Sequence, residues 1–138
     1  MILTSLRACS LSSAGLDWYQ RITRTAEVGD YEAFAAMLHE DCVYQVNTYL
    51  PFYGRNTVVM ALQRYRETFE QVEHELLNIH GTDNHFAVEA LNHYVRKDGA
   101  PVTIPAVVFF DRDEASGGLL SGRLYLDLAP LVETPPPP

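Results

Sequence analysis

The second half of the chain constrains the fold most, because it carries four consecutive runs of strand-like composition. These runs lie at residues 73–80, 85–96, 102–110 and 119–128. Short segments rich in Gly, Asn and Asp separate them, and the Asp98-Gly99 pair is typical of a tight hairpin turn, which needs positive φ angles. Consecutive strands joined by short turns predict an antiparallel meander.

The first half of the chain has helical periodicity instead. Residues 16–28 place apolar side chains at three- and four-residue steps, which predicts one buried stripe consisting of Trp18, Tyr19, Ile22 and Ala26. A short helix is expected at residues 31–38 and a third helix at residues 56–69, with a strand at 42–47 between them. Helices followed by a meander indicate an α+β fold, in which three helices pack on a strongly curved, mainly antiparallel sheet and leave a pocket.

Composition narrows the class of protein and its partners. A chain of 138 residues has the length of a single domain. Its net charge of −8 argues against nucleic-acid binding, which needs a basic face. No apolar run reaches the roughly 20 residues that span a bilayer, so no membrane partner is expected. The two cysteines, Cys9 and Cys42, have neither metal-ligand nor redox spacing, which suits a cytoplasmic location.

The two ends of the chain are expected to be less ordered than its middle. We predict a flexible N-terminal segment over residues 1–15, a single folded domain over residues 16–130, and a disordered proline-rich tail over residues 131–138. Four prolines end this tail, and a run of prolines neither packs nor pairs easily.

Two groups of residues carry a resemblance to known families. The first group is Tyr44-Gln45, Pro51 and Tyr53-Gly54-Arg55, together with Glu89 and Arg123-x-Tyr125-x-Asp127-Leu128. It resembles limonene epoxide hydrolases, whereas the helical segment QRITRTAEVGDYEAF is similar to ketosteroid isomerases. The chain therefore resembles the SnoaL-like and limonene-epoxide-hydrolase-like branch of the NTF2-like superfamily. This resemblance implies a cone-shaped fold around a pocket, and a homodimer formed through the outer face of the sheet.

The departures from these families bear on activity. The Asp–Arg–Asp set of the hydrolases aligns with Asn92, Ala90 and Leu124, so no aligned carboxylate remains to act as acid or base. The three catalytic positions of the isomerases align near Ile22, Val46 and Ala106. The closest remaining analogy is to SnoaL-like polyketide cyclases and isomerases of natural-product pathways.

Strand alternation predicts which side chains enter the pocket. Alternate residues share a face, so Asn92 and Tyr94 should project inward with the leucines of the last strand, and Tyr44 should join them. We take these three polar residues as the catalytic candidates. A buried Asn92 needs a partner, which is a neighbouring hydroxyl, a water or a ligand. The expected substrate-binding residues are Trp18, Asn47, Tyr65, Phe86, Val88, Leu124 and Leu126.

A one-residue slip would reverse this assignment and place a different polar set in the pocket. That alternative set consists of Glu89, His93, Arg123 and Asp127. In the preferred register Arg123, Tyr125 and Asp127 form a ladder on the outer face, where the neighbouring Glu89 could pair with Arg123. The remaining histidines, His74 among them, lie near element ends and are interpreted as solvated, and no metal site is expected.

The main functional hypothesis is a cofactor-free cyclase or isomerase that acts on a hydrophobic, oxygenated metabolite of polyketide or terpenoid type. In the preferred register no strong base faces the substrate unless His39 or Asp41 reaches in. One alternative is a non-catalytic module that binds a small molecule or dimerises. A second alternative is an epoxide hydrolase with relocated catalytic groups, which requires the reversed register.

Overall fold

Seven strands form one curved sheet in the computed structural model, which describes residues 1–133. In chain order the elements are β1 (Ala8–Cys9), α1 (Ser13–Val28), α2 (Tyr31–Ala36), β2 (Leu38–Val46), β3 (Phe52–Tyr53), α3 (Arg55–Arg66), β4 (Phe69–Thr82), β5 (His85–Arg96), β6 (Pro101–Arg112), β7 (Leu119–Leu126) and α4 (Ala129–Val132). The α+β class predicted from the sequence is confirmed. A short fourth helix, α4, adds to the three that were predicted.

The sheet has the strand order β1-β4-β5-β6-β7-β2-β3. Strands β4 to β7 form the predicted antiparallel meander, whereas β2 runs parallel to β7 and β1 runs parallel to β4. The sheet is therefore mainly antiparallel, as expected. Register shifts interrupt the β4–β5 pairing twice, and shifts of this kind bend and twist a sheet locally.

Capping residues set both ends of the first helix. The Ser12 hydroxyl accepts a hydrogen bond from the Gly15 amide at 3.1 Å, so α1 begins three residues before the predicted start. Gly29 ends the helix with a left-handed φ of 74°. Asp30 then caps α2 by accepting from the Ala33 amide at 3.1 Å.

Sheet pairing overrides helical periodicity at two boundaries. Helix α2 stops at Ala36 instead of residue 38, because Leu38 already pairs with Leu119 of β7. Helix α3 stops at Arg66 instead of residue 69, because Phe69 opens β4 opposite Arg96. Leu38 and Phe69 are both apolar and buried, so the sequence around them fits a helix and a strand about equally well.

The structure contradicts the predicted flexible segment over residues 1–15. Strand β1 pairs with Asn78 and Ile79 of β4, and Ile2 forms a further bridge to Glu75. These backbone hydrogen bonds fix a segment whose side chains gave no strand pattern.

The predicted tail over residues 131–138 is also partly wrong. Leu131 in α4 is buried in the core, and the Arg96 guanidinium donates to the Pro130 and Glu133 carbonyls. Residues 134–138 lie outside the described residues.

Helix α1 lies against one end of the concave face and closes it with aromatic rings. Trp18 and Tyr19 of α1 each meet Phe86 of β5 and Phe110 of β6, with ring centroids 5.7–6.4 Å apart. Such tilted and edge-to-face contacts are favourable for aromatic pairs. Within residues 1–133, no helix is both long and apolar enough to cross a membrane.

Candidate active site

A cavity of about 440 Å³ lies between the concave face of the sheet and the helices. This volume is in the range of pockets that hold small organic ligands. Most of the lining is apolar, and it includes Val88, Ala90, Val108, Leu124 and Leu126 from three neighbouring strands. Exposed Tyr49, Arg64 and Thr68 mark the side that opens to solvent.

Six of the predicted site residues line this cavity. They are Tyr44, Tyr65, Val88, Asn92, Leu124 and Leu126. Cross-strand pairing accounts for the common side of the strand residues among them, because Val88 and Leu124 are both aligned with Val108 across β5, β6 and β7.

Four other predicted residues lie outside the lining. Trp18 and Phe86 are buried in the aromatic cluster that closes the end of the cavity. Tyr94 is 1% exposed and packs behind Tyr65 and Phe69. Asn47 uses its amide to donate to the Leu126 carbonyl at 2.8 Å and to accept from the Leu126 amide at 3.0 Å. Asn47 therefore extends the β2–β7 pairing, and its predicted position in the binding site is wrong.

A hydrogen-bonded chain joins Asn92 to two tyrosines. The Asn92 amide nitrogen donates to the Tyr94 hydroxyl at 3.2 Å, and the Tyr94 hydroxyl is hydrogen-bonded to that of Tyr65. Tyr65 lines the cavity, whereas Tyr94, its hydrogen-bond partner, does not. Asn92 is 2% exposed, and its Oδ1 has no hydrogen-bond partner among residues 1–133.

The reversed register is wrong, because none of its four residues lines the cavity. Glu89 accepts from the Asn78 amide group at 2.7 Å instead of pairing with Arg123, which binds Asp111 at 2.9 Å. The other two residues also have partners outside the cavity. His93 Nε2 lies 2.8 Å from a Glu75 carboxylate oxygen, and Asp127 accepts from the Ala129 amide at 3.0 Å.

His74 lines the cavity, so its interpretation as a solvated histidine is wrong. It pairs with Asn92 across β4 and β5, which places both side chains on the concave face. His74 Nδ1 lies 2.9 Å from Glu27 Oε2, and the same carboxylate oxygen accepts from the His74 backbone amide at 2.7 Å. The two side chains are 18% and 7% exposed.

Glu27 lies in the last turn of α1, and hydrogen bonds from Arg66 of α3 hold that turn in place. The Arg66 guanidinium donates to the Ala26 and Glu27 carbonyls at 3.0 and 2.6 Å, which satisfies carbonyls that a helix end leaves free. Burial alone would raise the pKa of the Glu27 carboxyl, but hydrogen bonds from the His74 side chain and backbone hold this pKa below its ordinary value. Glu27 is therefore ionised at neutral pH.

An ionised Glu27 fixes the hydrogen on the His74 ring. A carboxylate only accepts hydrogen bonds, so Nδ1 carries the proton that lies between the two groups. In the neutral imidazole Nε2 then has a free lone pair, on a side chain that forms the cavity wall. Glu27 and His74 together form what we call the Glu–His pair, an arrangement that can accept and return a proton.

Tyrosine hydroxyls complete the polar part of the cavity. Burial raises the pKa of Tyr44, and it raises the pKa of Tyr19 to about 12. Both side chains therefore stay neutral near pH 7. The Tyr44 hydroxyl can donate to a carbonyl oxygen or to an oxyanion that develops on it.

His39 and Asp41 do not supply the base. His39 Nδ1 accepts from the Asp41 backbone amide at 3.0 Å, and neither side chain lines the cavity. Within residues 1–133, no three His, Cys, Asp or Glu side chains come together in a way that could hold a metal ion.

Sequence reasoning missed the Glu–His pair although a signal for it was present. His74 stands between Val72 and Leu76, two apolar residues with the same strand parity, and all three side chains face the concave side. Glu27 stands four residues after Thr23, which is buried and lines the cavity. Placing the start of β4 at residue 73 made His74 look like an end residue, which hid the alternation.

Comparison with known proteins is consistent with this fold. Residues 19–119 match the family model of the SnoaL-like domain. No curated protein sequence matches the chain.

Three solved structures illustrate the range of proteins that share the fold. A protein from Jannaschia sp. CCS1 described as a SnoaL-like polyketide cyclase has 16% identity and a TM-score of 0.76, with 92% of this chain and 96% of that chain covered. An LEH-like epoxide hydrolase of M. tuberculosis has 16% identity and a TM-score of 0.70, with 85% of each chain covered. A protein of Catenulispora acidiphila with a ketosteroid isomerase-like fold has 16% identity and a TM-score of 0.73, with 86% of this chain and 98% of that chain covered.

These structural likenesses show the fold alone, whereas the family model covers most of the chain. The sequence match, the α+β architecture and the cavity between helices and sheet agree with one another. The chain belongs to the SnoaL-like domain family.

Proposed function

We propose that this protein catalyses cofactor-free proton transfer on a hydrophobic, oxygenated metabolite, as an isomerase or a cyclase. The observation that carries the proposal is the Glu–His pair at the wall of an apolar cavity. Its catalytic residues are His74 and Tyr44, and Glu27 is a positioning residue. This assignment replaces Tyr94 as a direct participant and supplies the base that the sequence analysis lacked.

The first step is removal of a proton from a carbon next to a carbonyl group. His74 Nε2 takes the proton, and the electron pair of the broken C–H bond moves to form an enolate whose charge lies on the carbonyl oxygen. The Tyr44 hydroxyl donates a hydrogen bond to this oxygen. Such a bond is most effective where water is excluded, as in a cavity lined by leucine and valine. Glu27 stabilises the imidazolium that forms.

The second step returns the proton and distinguishes the two reaction classes. In an isomerisation, His74 gives its proton to a different carbon of the conjugated system. In a cyclisation, the enolate carbon attacks a second carbonyl, a carbon–carbon bond forms, and His74 protonates the new alkoxide. Both routes balance without an oxidant or a reductant, and both suit a polyketide- or terpenoid-like body of the size of the cavity.

Hydrogen–deuterium exchange tests this function without knowledge of the substrate. 2-Tetralone is an apolar ketone with acidic C–H bonds, and its exchange in D₂O is followed by proton NMR. We expect the protein to accelerate exchange, and His74→Gln to reduce the acceleration about 100-fold or more, because general base catalysis contributes about 10²–10⁴. The matched control is His80→Gln, which changes an exposed histidine of the same strand and should leave exchange unchanged.

Two results would reject the proposal. One is no acceleration by the wild-type protein although 2-tetralone binds in the cavity, which favours the non-catalytic binding module. The other is equal acceleration by wild type and His74→Gln, which would place the base elsewhere.

A homodimer through the outer face of the sheet is part of the proposal. Phe109 and Tyr125 are 37% and 48% exposed on that face and contact each other at a centroid distance of 6.1 Å. Sedimentation should give a dimer for wild type and a monomer for Tyr125→Lys. A reducing compartment such as the cytoplasm suits the free thiols of Cys9 and Cys42.

A further inference from the structure

The Asn92 amide has an acceptor without a partner at the cavity wall. Its nitrogen is used by Tyr94, whereas Oδ1 is buried and has no hydrogen-bond donor among residues 1–133. Leaving a buried acceptor unpaired is costly for the folded protein. A leucine or valine would suit these surroundings better, so the amide indicates a ligand group that completes its hydrogen bonds.

The neighbours of Asn92 do not supply the missing donor. Ile104, its partner on β6, is apolar. His74, its partner on β4, directs its Nδ1 hydrogen to Glu27, so in the neutral imidazole Nε2 is an acceptor and supplies no hydrogen. The Tyr94 hydroxyl is already shared between Asn92 and Tyr65. Two acceptors, Asn92 Oδ1 and His74 Nε2, therefore stand side by side on the concave face.

We propose that Asn92 Oδ1 accepts a hydrogen bond from a hydroxyl group of the substrate, beside the carbon that His74 deprotonates. The substrate class is then a neutral, apolar carbonyl compound that carries a hydroxyl a few bonds from its acidic C–H. Directly paired residues have Cβ atoms about 4.5–5.5 Å apart, which sets this spacing. The placement next to the reacting carbon rests on the proposed function, whereas the hydroxyl subsite rests on Asn92 alone.

Binding of two matched probes tests the subsite. 2-Naphthol carries a hydroxyl donor, and 2-methoxynaphthalene has the same ring system and an oxygen acceptor but no donor. Titration calorimetry with the wild-type protein should give about 10-fold tighter binding of 2-naphthol, the effect of one buried hydrogen bond. In Asn92→Ala the preference for 2-naphthol should be lost. The ratio of the two binding constants should then approach the ratio at which the two probes partition from water into an apolar solvent.

Tyr44→Phe is the matched control, because it removes another cavity hydroxyl and leaves Asn92 in place. It should retain the preference for 2-naphthol. Equal binding of both probes by wild type, tighter binding of the ether, or a preference lost in Tyr44→Phe but kept in Asn92→Ala would overturn the proposal. Equal binding of both probes by the wild-type protein would overturn the proposal even where a variant fails to fold.

The two proposals fail separately. Acceleration of 2-tetralone exchange without a preference for 2-naphthol would reject the hydroxyl subsite and leave the proton-transfer function intact. A preference for 2-naphthol that depends on Asn92, without exchange, would reject the function and leave the subsite.

Discussion

Replacing Glu27 by Gln changes the Glu–His pair with little change of shape, and its effect on stability follows from the contacts. Glu27 Oε2 accepts from His74 Nδ1 at 2.9 Å and from the His74 backbone amide at 2.7 Å. Glutamine keeps an oxygen acceptor but removes the charge, and with it the ion pair of Glu27 Oε1 with the Met1 ammonium group at 3.3 Å. Both hydrogen bonds then change from charge-assisted to neutral.

The magnitude follows from the difference between the two kinds of bond. A hydrogen bond to a charged group contributes about 1.5–3 kcal/mol and a neutral one about 0.5–1.5 kcal/mol. Two such bonds differ by about 2 kcal/mol in total, and solvent screening of a partly accessible carboxylate reduces this. We expect Glu27→Gln to lower the free energy of unfolding by about 1–2 kcal/mol at pH 7.

The pH dependence has a definite sign. The folded-state pKa of Glu27 is lowered, so its contribution is fully present above the unfolded-state pKa of about 4.3 and is lost as the pH falls through the folded value. Urea unfolding followed by circular dichroism, at pH 7 and then in steps down to pH 3, should show the difference between wild type and variant shrinking.

The matched control for this experiment is Glu73→Gln, because Glu73 is 41% exposed and makes no hydrogen bond to His74. It should change stability by less than about 0.5 kcal/mol. A Glu27→Gln variant as stable as wild type at pH 7, or a loss that stays constant down to pH 3, would refute the account of the pair.

Three further substitutions test the packing around the cavity, each by urea unfolding. Asn92→Leu should raise the free energy of unfolding by about 1 kcal/mol, because it removes a buried unpaired acceptor; a loss of stability would show that the amide is satisfied. Gly122→Ala should cost about 1–3 kcal/mol, since its Cβ would overlap the Tyr44 ring, and a neutral result would contradict that close approach. Leu76→Ala should cost about 2–5 kcal/mol at a side chain with 0% exposure, whereas Leu50→Ala, at 86% exposure, should be nearly neutral.

The fold was predictable because periodicity and turn chemistry agree along most of the chain. Strand β5 has the predicted bounds, since Asn84 and Lys97-Asp98-Gly99 interrupt the pattern on each side. Boundaries that depend on long-range pairing were not predictable. Leu38 and Phe69 fit a helical stripe, and only their partners on β7 and β5 make them strand residues.

The candidate site was predictable where it follows strand parity and unpredictable where it joins distant elements. Parity placed Asn92, Leu124 and Leu126 on the concave face. Glu27 and His74 are 47 residues apart, and only the packing of α1 on the concave face of the sheet brings them together. The alternation of residues along one strand predicts which face of the sheet a side chain is on, but not whether it reaches the cavity. Tyr94 is on the concave face and is buried, yet it does not line the cavity.

Determining the tautomer of His74 tests the central claim most directly. The claim is that the Glu–His pair presents a basic nitrogen to an apolar cavity. Long-range ¹H–¹⁵N correlation NMR of the neutral imidazole, assigned by comparison with His74→Gln, distinguishes the protonated nitrogen from the bare one. The account predicts a proton on Nδ1 and a free lone pair on Nε2, with this preference weakened in Glu27→Gln. A wild-type imidazole protonated on Nε2 would contradict the claim, because Nε2 would then be a hydrogen-bond donor with no lone pair to accept a proton.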